Sequence, residues 1–410
     1  MQTRGYNSTD TRNLMQATFT QKFGKPAYDW QLNVSEALIL GLDCIVVAGT
    51  GSGKTIPFML PLLGDDHFRI LVISPLKILQ QDQANPRTAM SAIFFCKQVT
   101  RFAKLGIKAV AINGDTWKRK KLREDLKNGV FHAMFLGPEM LLEHEGFRDF
   151  MREHNILKNI AATVIDEAHC ISQWSGDFRK TYGKLEKVRS LLSPGTPLLA
   201  TSATLCRASF MDIQSKLLID AEEAFLLNLG NDRFNISTSV HKMNHAEDYE
   251  ALLLHVNLKA STLDELDKTI VFVNTVRPTL KACRYLRDKL HPNLHSAVDY
   301  LHSYRSSRDK RKIMRRFRQG GIRILIATEA AGMGADIPDI KVGIQFGVPP
   351  SLTVLKQRLG RIGRNTSICA SGVVLVEKSM FQAVKKRRNK TSSLNTFMRQ
   401  CSNTARADLQ

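Results

Sequence analysis

Ten short apolar runs set the rhythm of this chain. Six lie in the first half: CIVVAGT from Cys44, RILVISP from Arg69, AVAIN from Ala109, AMFLGP from Ala133, ATVIDEAH from Ala162 and LLATSAT from Leu198. Four lie in the second: TIVFVN from Thr269, IRILIATEA from Ile322, KVGIQFGV from Lys341 and GVVLVE from Gly372. Apolar runs this short, separated by helix-like stretches, are the pattern of buried parallel strands joined by crossover helices. They predict an α/β protein with two parallel sheets in tandem.

The length agrees, since 410 residues exceed what one hydrophobic core ordinarily serves. The strand rhythm lapses in the polar stretch from Asn228 to His245, and the boundary is expected near Arg233. Residues 1–233 then form a first lobe and residues 234–384 a second, with a cleft between them. From about residue 385 apolar periodicity is lost, so residues 385–410 are expected to be a basic, partly disordered tail. The run KKRRNK (Lys385 to Lys390) reads as a nuclear-import or phosphate-binding patch and equally as a solvated charge run; nucleus is the expected location.

Charge narrows the partners. Fifty-nine Lys and Arg against 38 Asp and Glu leave a net charge of +21, which points to a polyanion and first to nucleic acid. The N-terminal stretch lacks an apolar signal-peptide core, and no run of about 18 apolar residues suggests a membrane span. An intracellular protein without a membrane partner is expected. The seven cysteines are far apart, with no C-x-x-C pair, so neither a disulfide framework nor a zinc site is read from them.

The sharpest motif is AGTGSGKT, from Ala48 to Thr55, directly after CIVV. Glycines there let backbone N–H groups close around phosphate oxygens, so Gly49, Thr50, Gly51, Ser52 and Gly53 would cradle a nucleotide. Lys54 would reach its β and γ phosphates, and Thr55 would hold Mg²⁺. The strict pattern has Gly where Ala48 stands. VIDEAH supplies the rest: Asp166, at a strand end, for Mg²⁺ and Glu167 to orient and deprotonate the attacking water. In the second half QRLGRIGR (Gln357 to Arg364) offers Arg361 and Arg364. Three apart on a helical turn, they would point one way, toward developing phosphate charge.

With these residues in order, the chain resembles the superfamily-two helicases, and within them the RecQ-type DNA helicases, from about Phe23 to Val376. Gln31 stands where the family has an adenine-reading glutamine. SPLKILQQDQ (Ser74 to Gln83), GPEMLL (Gly137 to Leu142), TSAT (Thr201 to Thr204), VFVNT (Val271 to Thr275), ATEAAGMGADIPDI (Ala327 to Ile340) and QRLGRIGR follow in the family's order.

The resemblance implies two RecA-like P-loop lobes, ATP and Mg²⁺ as cofactors, and movement 3′ to 5′ on single-stranded or forked DNA in repair and recombination. It implies that Ser202 and Thr204 couple the γ-phosphate to inter-lobe contacts, and that Asn274, Gly332 and Asp336 face strand and nucleotide. DEAHCISQWSGDFR (Asp166 to Arg179) resembles the aromatic-rich loop of RecQ-type enzymes. There Trp174 and Phe178 would stack on unstacked bases, while Gln173 and Arg179 would add phosphate or base-edge contacts.

Some positions depart from that pattern. The four-cysteine zinc module and winged helix that commonly follow are not expected here, since only Cys401 lies in that region; no zinc is expected. Tyr28 and Lys25 stand before Gln31 where an arginine is usual, and Ala331 replaces an aromatic. KRKKLR (Lys118 to Arg123) and RSSRDKRKIMRRFR (Arg305 to Arg318) read as DNA-channel lining and equally as solvated helix faces. A nucleic-acid-binding remnant and an RNA-remodelling enzyme are the alternatives to a DNA motor.

Overall fold

The computed structural model describes residues 6–74, 98–173, 184–328 and 337–380. The chain divides into two compact units, Met1–Arg233 and Phe234–Gln410.

The first unit is built on one parallel sheet. Its strands are β1 (Cys44–Val47), β2 (Ile70–Ile73), β3 (Ala109–Ile112), β4 (Ala133–Leu136), β5 (Ala162–Ile165), β6 (Leu198–Ser202) and β7 (Phe225–Asn228). They lie side by side in the order 3-4-2-5-6-1-7. Successive strand residues point to opposite faces, so each apolar run feeds two cores. Ile45, Leu71, Ile73, Met134 and Ile165 pack on one side, with Phe147 and Met151 of the helix Glu145–Glu153 and Ile213 and Leu217 of the helix Arg207–Leu217. Cys44, Val46, Ile70, Val72 and Phe135 pack on the other, with Met15 and Phe19 of the helix Ser8–Phe23 and Leu32, Val34 and Leu38 of the helix Asp29–Ile39. Burial on both faces of β1, β2, β4, β5 and β6 is why those strands carry no polar alternation.

Local signals set the ends of the elements. The helix Ser8–Phe23 starts where the Asn7 side chain accepts the Asp10 N–H. It stops at Gly24, whose φ of +70° lets its N–H reach Thr20 O at 2.8 Å. At the N-terminal ends of β1 and β6, Asp43 accepts the Leu198 N–H at 2.7 Å and pairs with Arg189, fixing the two strands side by side.

The second unit repeats the plan with β8 (Ile236–Met243), β9 (Thr269–Val273), β10 (Val298–Leu301), β11 (Ile324–Ala327), β12 (Val342–Phe346) and β13 (Ala370–Glu377). The order is 10-11-9-12-13-8, again parallel. Val271, Val273 and Ile326 pack with Ala282, Cys283 and Leu286 of the helix Arg277–Lys289. Ile270, Phe272 and Leu325 pack with Ile313 and Phe317 of the helix Ser307–Arg318.

All ten apolar runs contain strands. Three strands went unread: β7, β8 and β10. Strand β8 occupies the stretch where the rhythm was expected to lapse. It forms the sheet edge, paired only with β13, and residues 237–240 are exposed. An edge strand with one neighbour needs no continuous apolar run, so ISTSVHKM gave no strand signal.

Candidate nucleotide site

The register of the first sheet assembles the site. Val47 of β1 lies beside Ser202 of β6, and Ile165 of β5 beside Ala200 of β6. The chain therefore leaves β1 into the glycine loop, β5 into Asp166 and Glu167, and β6 into Ala203 and Thr204, all at the carboxyl ends of three adjacent strands. Ligands of open parallel sheets bind at these ends.

The glycine loop takes the shape its composition allows. Gly51 and Gly53 have φ of +91° and +87°, a region that side chains with a Cβ rarely enter. Lys54 Nζ donates to Ala48 O at 2.7 Å and Gly49 O at 3.1 Å, so the ammonium curls over the mouth of its own loop. Thr55 follows and leads into the short helix Ile56–Met59. Gln31 is fully buried and reaches this loop: its Nε2 donates to Ser52 O at 3.2 Å, while its Oε1 accepts the Tyr28 N–H at 3.0 Å. A Cβ on Gly53 would stand 2.7 Å from Gln31 Nε2. The side chain read from the sequence as facing adenine thus also braces the phosphate loop.

Asp166 accepts from Thr201 Oγ1 and from the Glu167 N–H, each at 3.0 Å. Burial and the Glu167 carboxylate push its pKa up to about 6, and Lys54, Thr201 and the Glu167 N–H draw it down. Glu167 has a φ of +53°, one of three non-glycine residues with positive φ among those described. Left-handed backbone at a non-glycine residue costs of order 1–3 kcal/mol and persists where its surroundings impose it. The Ala168 N–H, bonded to Thr201 O at 2.8 Å, helps to hold that turn.

His169 and Ser202 complete the cluster and are both buried. His169 Nδ1 lies 3.0 Å from Ser202 Oγ and 3.4 Å from a Glu167 oxygen. Ser202 Oγ donates to Thr204 O at 3.1 Å and accepts the Thr204 N–H at 3.2 Å. A continuous chain of contacts thus runs from Glu167 through His169 and Ser202 to Thr204. His169 was not singled out from the sequence; its signal was its place in DEAH, four letters that read first as two carboxylates.

The cluster fits ATP and Mg²⁺. Ser52 Oγ and Thr204 Oγ1 are buried with no hydrogen-bond partner among the described residues, and such hydroxyls ordinarily have one. Among the described residues no three His, Cys, Asp or Glu side chains gather as metal ligands. Mg²⁺ does not require such a cage, because one carboxylate, a hydroxyl, phosphate oxygens and water suffice. Thr55 and Asp166 would hold it.

In the second unit the helix Leu352–Leu359 ends at Gly360, and Arg361 and Arg364 lie in the turn beyond it. The expected shared helical face is corrected: Ile362 is buried and Gly363 has a φ of +53°, which turns the chain out of the helix. Asn235 Nδ2 pins this turn through Gly363 O at 2.7 Å and Ile368 O at 2.9 Å. The sequence reading passed over Arg358, which is 4% exposed and donates to Gln345 Oε1 at 2.6 Å and Asn274 Oδ1 at 2.8 Å. Asn274 in turn donates to Val348 O at 2.7 Å, linking the carboxyl ends of β9 and β12.

Trp174, Phe178 and Arg179 lie outside the described residues, as does the side chain of Gln173. Gly332, Asp336, Ala331 and the tail from residue 385 lie outside them too. No helix among the described residues is long and apolar enough to cross a membrane.

Comparison with known proteins agrees with this geometry. Residues 28–212 match the family model described as "DEAD/DEAH box helicase", and residues 246–366 match "Helicase conserved C-terminal domain". The human "ATP-dependent DNA helicase Q4" is 30% identical over 342 residues, covering 80% of this chain and 26% of that protein. The "Probable ATP-dependent DNA helicase RecS" of Bacillus subtilis is 29% identical over 361 residues, covering 86% and 64%. The chain thus spans about a quarter to two thirds of these relatives. A solved structure of S. cerevisiae Dbp5 bound to RNA and ADP BeF3 superposes with a TM-score of 0.60 at 19% identity, covering 91% of this chain and 90% of that one, a likeness of fold. With its two parallel-sheet units and its matches to both helicase domains, the chain is similar over most of its length to RecQ-type DNA helicases.

Proposed function

We propose that this protein is an ATP-driven motor that moves 3′ to 5′ along single-stranded DNA and separates duplex ahead of it. The observation that carries the reading is the convergence of the Lys54 loop, Asp166, Glu167 and the His169–Ser202 contact at adjacent strand ends.

In this reading the backbone of residues 49–53 and Lys54 bind the phosphates, and Gln31 reads adenine from its seat against the loop. Thr55 and Asp166 hold Mg²⁺, which when bound screens phosphate charge. Glu167 accepts a proton from the attacking water, and its fixed left-handed backbone keeps the carboxylate aimed. Arg361 and Arg364 stabilise charge on the transferred phosphoryl group. His169, Ser202 and Thr204 carry the state of the phosphate site outward, and Trp174, Phe178, Gln173 and Arg179 hold the strand. DNA is favoured over RNA because Q4 and RecS, similar over most of this chain, are named DNA helicases and because SQWSGDFR resembles the loop of RecQ-type enzymes. ATP turnover measured with single-stranded DNA, duplex DNA and RNA tests the reading; stimulation by RNA alone would replace it with an RNA-remodelling function.

A further inference from the structure

The turn that follows β10, together with the helix after it, carries chemistry that the nucleotide site does not use. Tyr300, His302 and Tyr304 form an aromatic series. The Tyr300 and His302 rings are 5.5 Å apart and 29° from parallel, and His302 and Tyr304 are 6.1 Å apart at 64°. The Arg305 guanidinium lies 4.0 Å from the centre of the Tyr300 ring and pairs with Asp299 at 3.5 Å. The series ends in solvent, with Tyr304 68% exposed.

This turn is braced. Lys310, 5% exposed, sends its ammonium back to Ser303 O. Ser306 caps the helix Ser307–Arg318 by accepting the Asp309 N–H at 3.1 Å. Burial, with Arg305 and Lys310 nearby, keeps His302 below the ordinary histidine range, so at neutral pH it presents an uncharged ring. Its Nδ1 is buried with no partner among the described residues.

The helix adds charge of one sign. Arg308, Arg311, Lys312, Arg315 and Arg318 are exposed, at spacings of three and four that put them on one outward side. Among the described residues none of these five side chains makes a hydrogen bond or ion pair. The helix's one acid, Asp309, is bonded to Ser306 at 2.8 Å. Like charges at these spacings destabilise a helix. An ordinary solvated face relieves that with interspersed acids, and this one does not. The opposite side, Ile313 and Phe317, is in the core, so there is no apolar face for a membrane.

We propose that the turn 302–306 and the outward side of the helix Ser307–Arg318 hold single-stranded nucleic acid, with a base on Tyr304 and the backbone along Arg308, Arg311 and Arg315. An exposed ring beside unpaired cations is the composition of a strand-tracking groove, and a base can reach such a ring only when it is free of a duplex. The inference rests on the motor reading above and deepens it by naming a contact in the second unit.

The test uses the whole chain and a labelled oligothymidylate, with binding followed by anisotropy over a salt series. Tyr304→Ala should weaken binding about tenfold, and Tyr304→Phe should stay within about twofold of the parent. The double variant Arg308→Gln, Arg311→Gln should lower the slope of log K against log salt by about 1.4, or roughly 0.7 per charge removed. Parent-like binding by Tyr304→Ala, or an unchanged slope in the double variant, overturns this contact while leaving the motor reading in place. Failure of the parent to bind the oligonucleotide overturns both.

Discussion

His169 and Ser202 stand 33 residues apart in the chain and 3.0 Å apart in space, imidazole Nδ1 against hydroxyl Oγ, both buried. The contact joins the residue two past Glu167 to the end of β6, so a shift at Glu167 reaches Thr204 through two side chains. Ser202→Ala should therefore lower nucleic-acid-stimulated turnover at least tenfold and leave ATP affinity within about twofold. It should also cost about 1–3 kcal/mol of stability, because His169 loses a buried partner. In a double-mutant cycle with His169→Ala, the two stability losses should fall short of adding; additive losses would show that the contact carries no coupling.

Glu167 is assigned to water activation and Lys54 to phosphate binding, and the two assignments separate in experiment. Glu167→Gln should keep nucleotide affinity and slow turnover by about 100-fold or more. Lys54→Ala should lose affinity itself, as seen with a fluorescent nucleotide. Normal turnover in Glu167→Gln would end the water-activation assignment.

The loop and Gln31 are built against each other. Gly53→Ala places a Cβ 2.7 Å from Gln31 Nε2 at a φ of +87°, so it should weaken nucleotide binding by about tenfold or more. Gln31→Ala in the same chain should restore only part of the loss, because relieving the clash leaves the unfavourable φ. Full restoration would mean that the backbone angle costs nothing.

Asp166 gives the pH dependence. Its pKa is raised from 3.8 to about 6, so the folded protein without nucleotide holds this proton after the unfolded chain has released it. The Asp166 contribution to stability should therefore decline as pH rises from about 4 to 6. Mg²⁺ requires the carboxylate, so the apparent Mg²⁺ affinity should fall as pH drops through 6. In Asp166→Asn the pH-dependent component in this window should disappear from urea unfolding followed over pH; an unchanged profile would assign it elsewhere.

Much of the fold was legible because both sheets are parallel and buried on both faces, which writes each central strand as an apolar run. The runs failed at β8, where an exposed edge strand of Ser, Thr and His has no apolar signature. The glycine loop and Asp166–Glu167 were legible as contiguous motifs. What the sequence hid was pairing at a distance: Gln31 against Ser52, His169 against Ser202, Arg358 against Asn274. Arg358 stands in the same motif as Arg361 and Arg364, and spacing alone does not say which arginine turns inward. The helical face assigned to Arg361 and Arg364 failed on one residue, Gly363, whose backbone leaves the helix.

We propose that the cluster at the ends of β1, β5 and β6 hydrolyses ATP in response to single-stranded DNA. The measurement is the steady-state ATP turnover of the purified chain alone and with single-stranded DNA, duplex DNA or RNA at equal nucleotide concentration. Turnover should rise at least tenfold with single-stranded DNA, less with duplex, and not at all in Glu167→Gln. Turnover that no nucleic acid changes would contradict it.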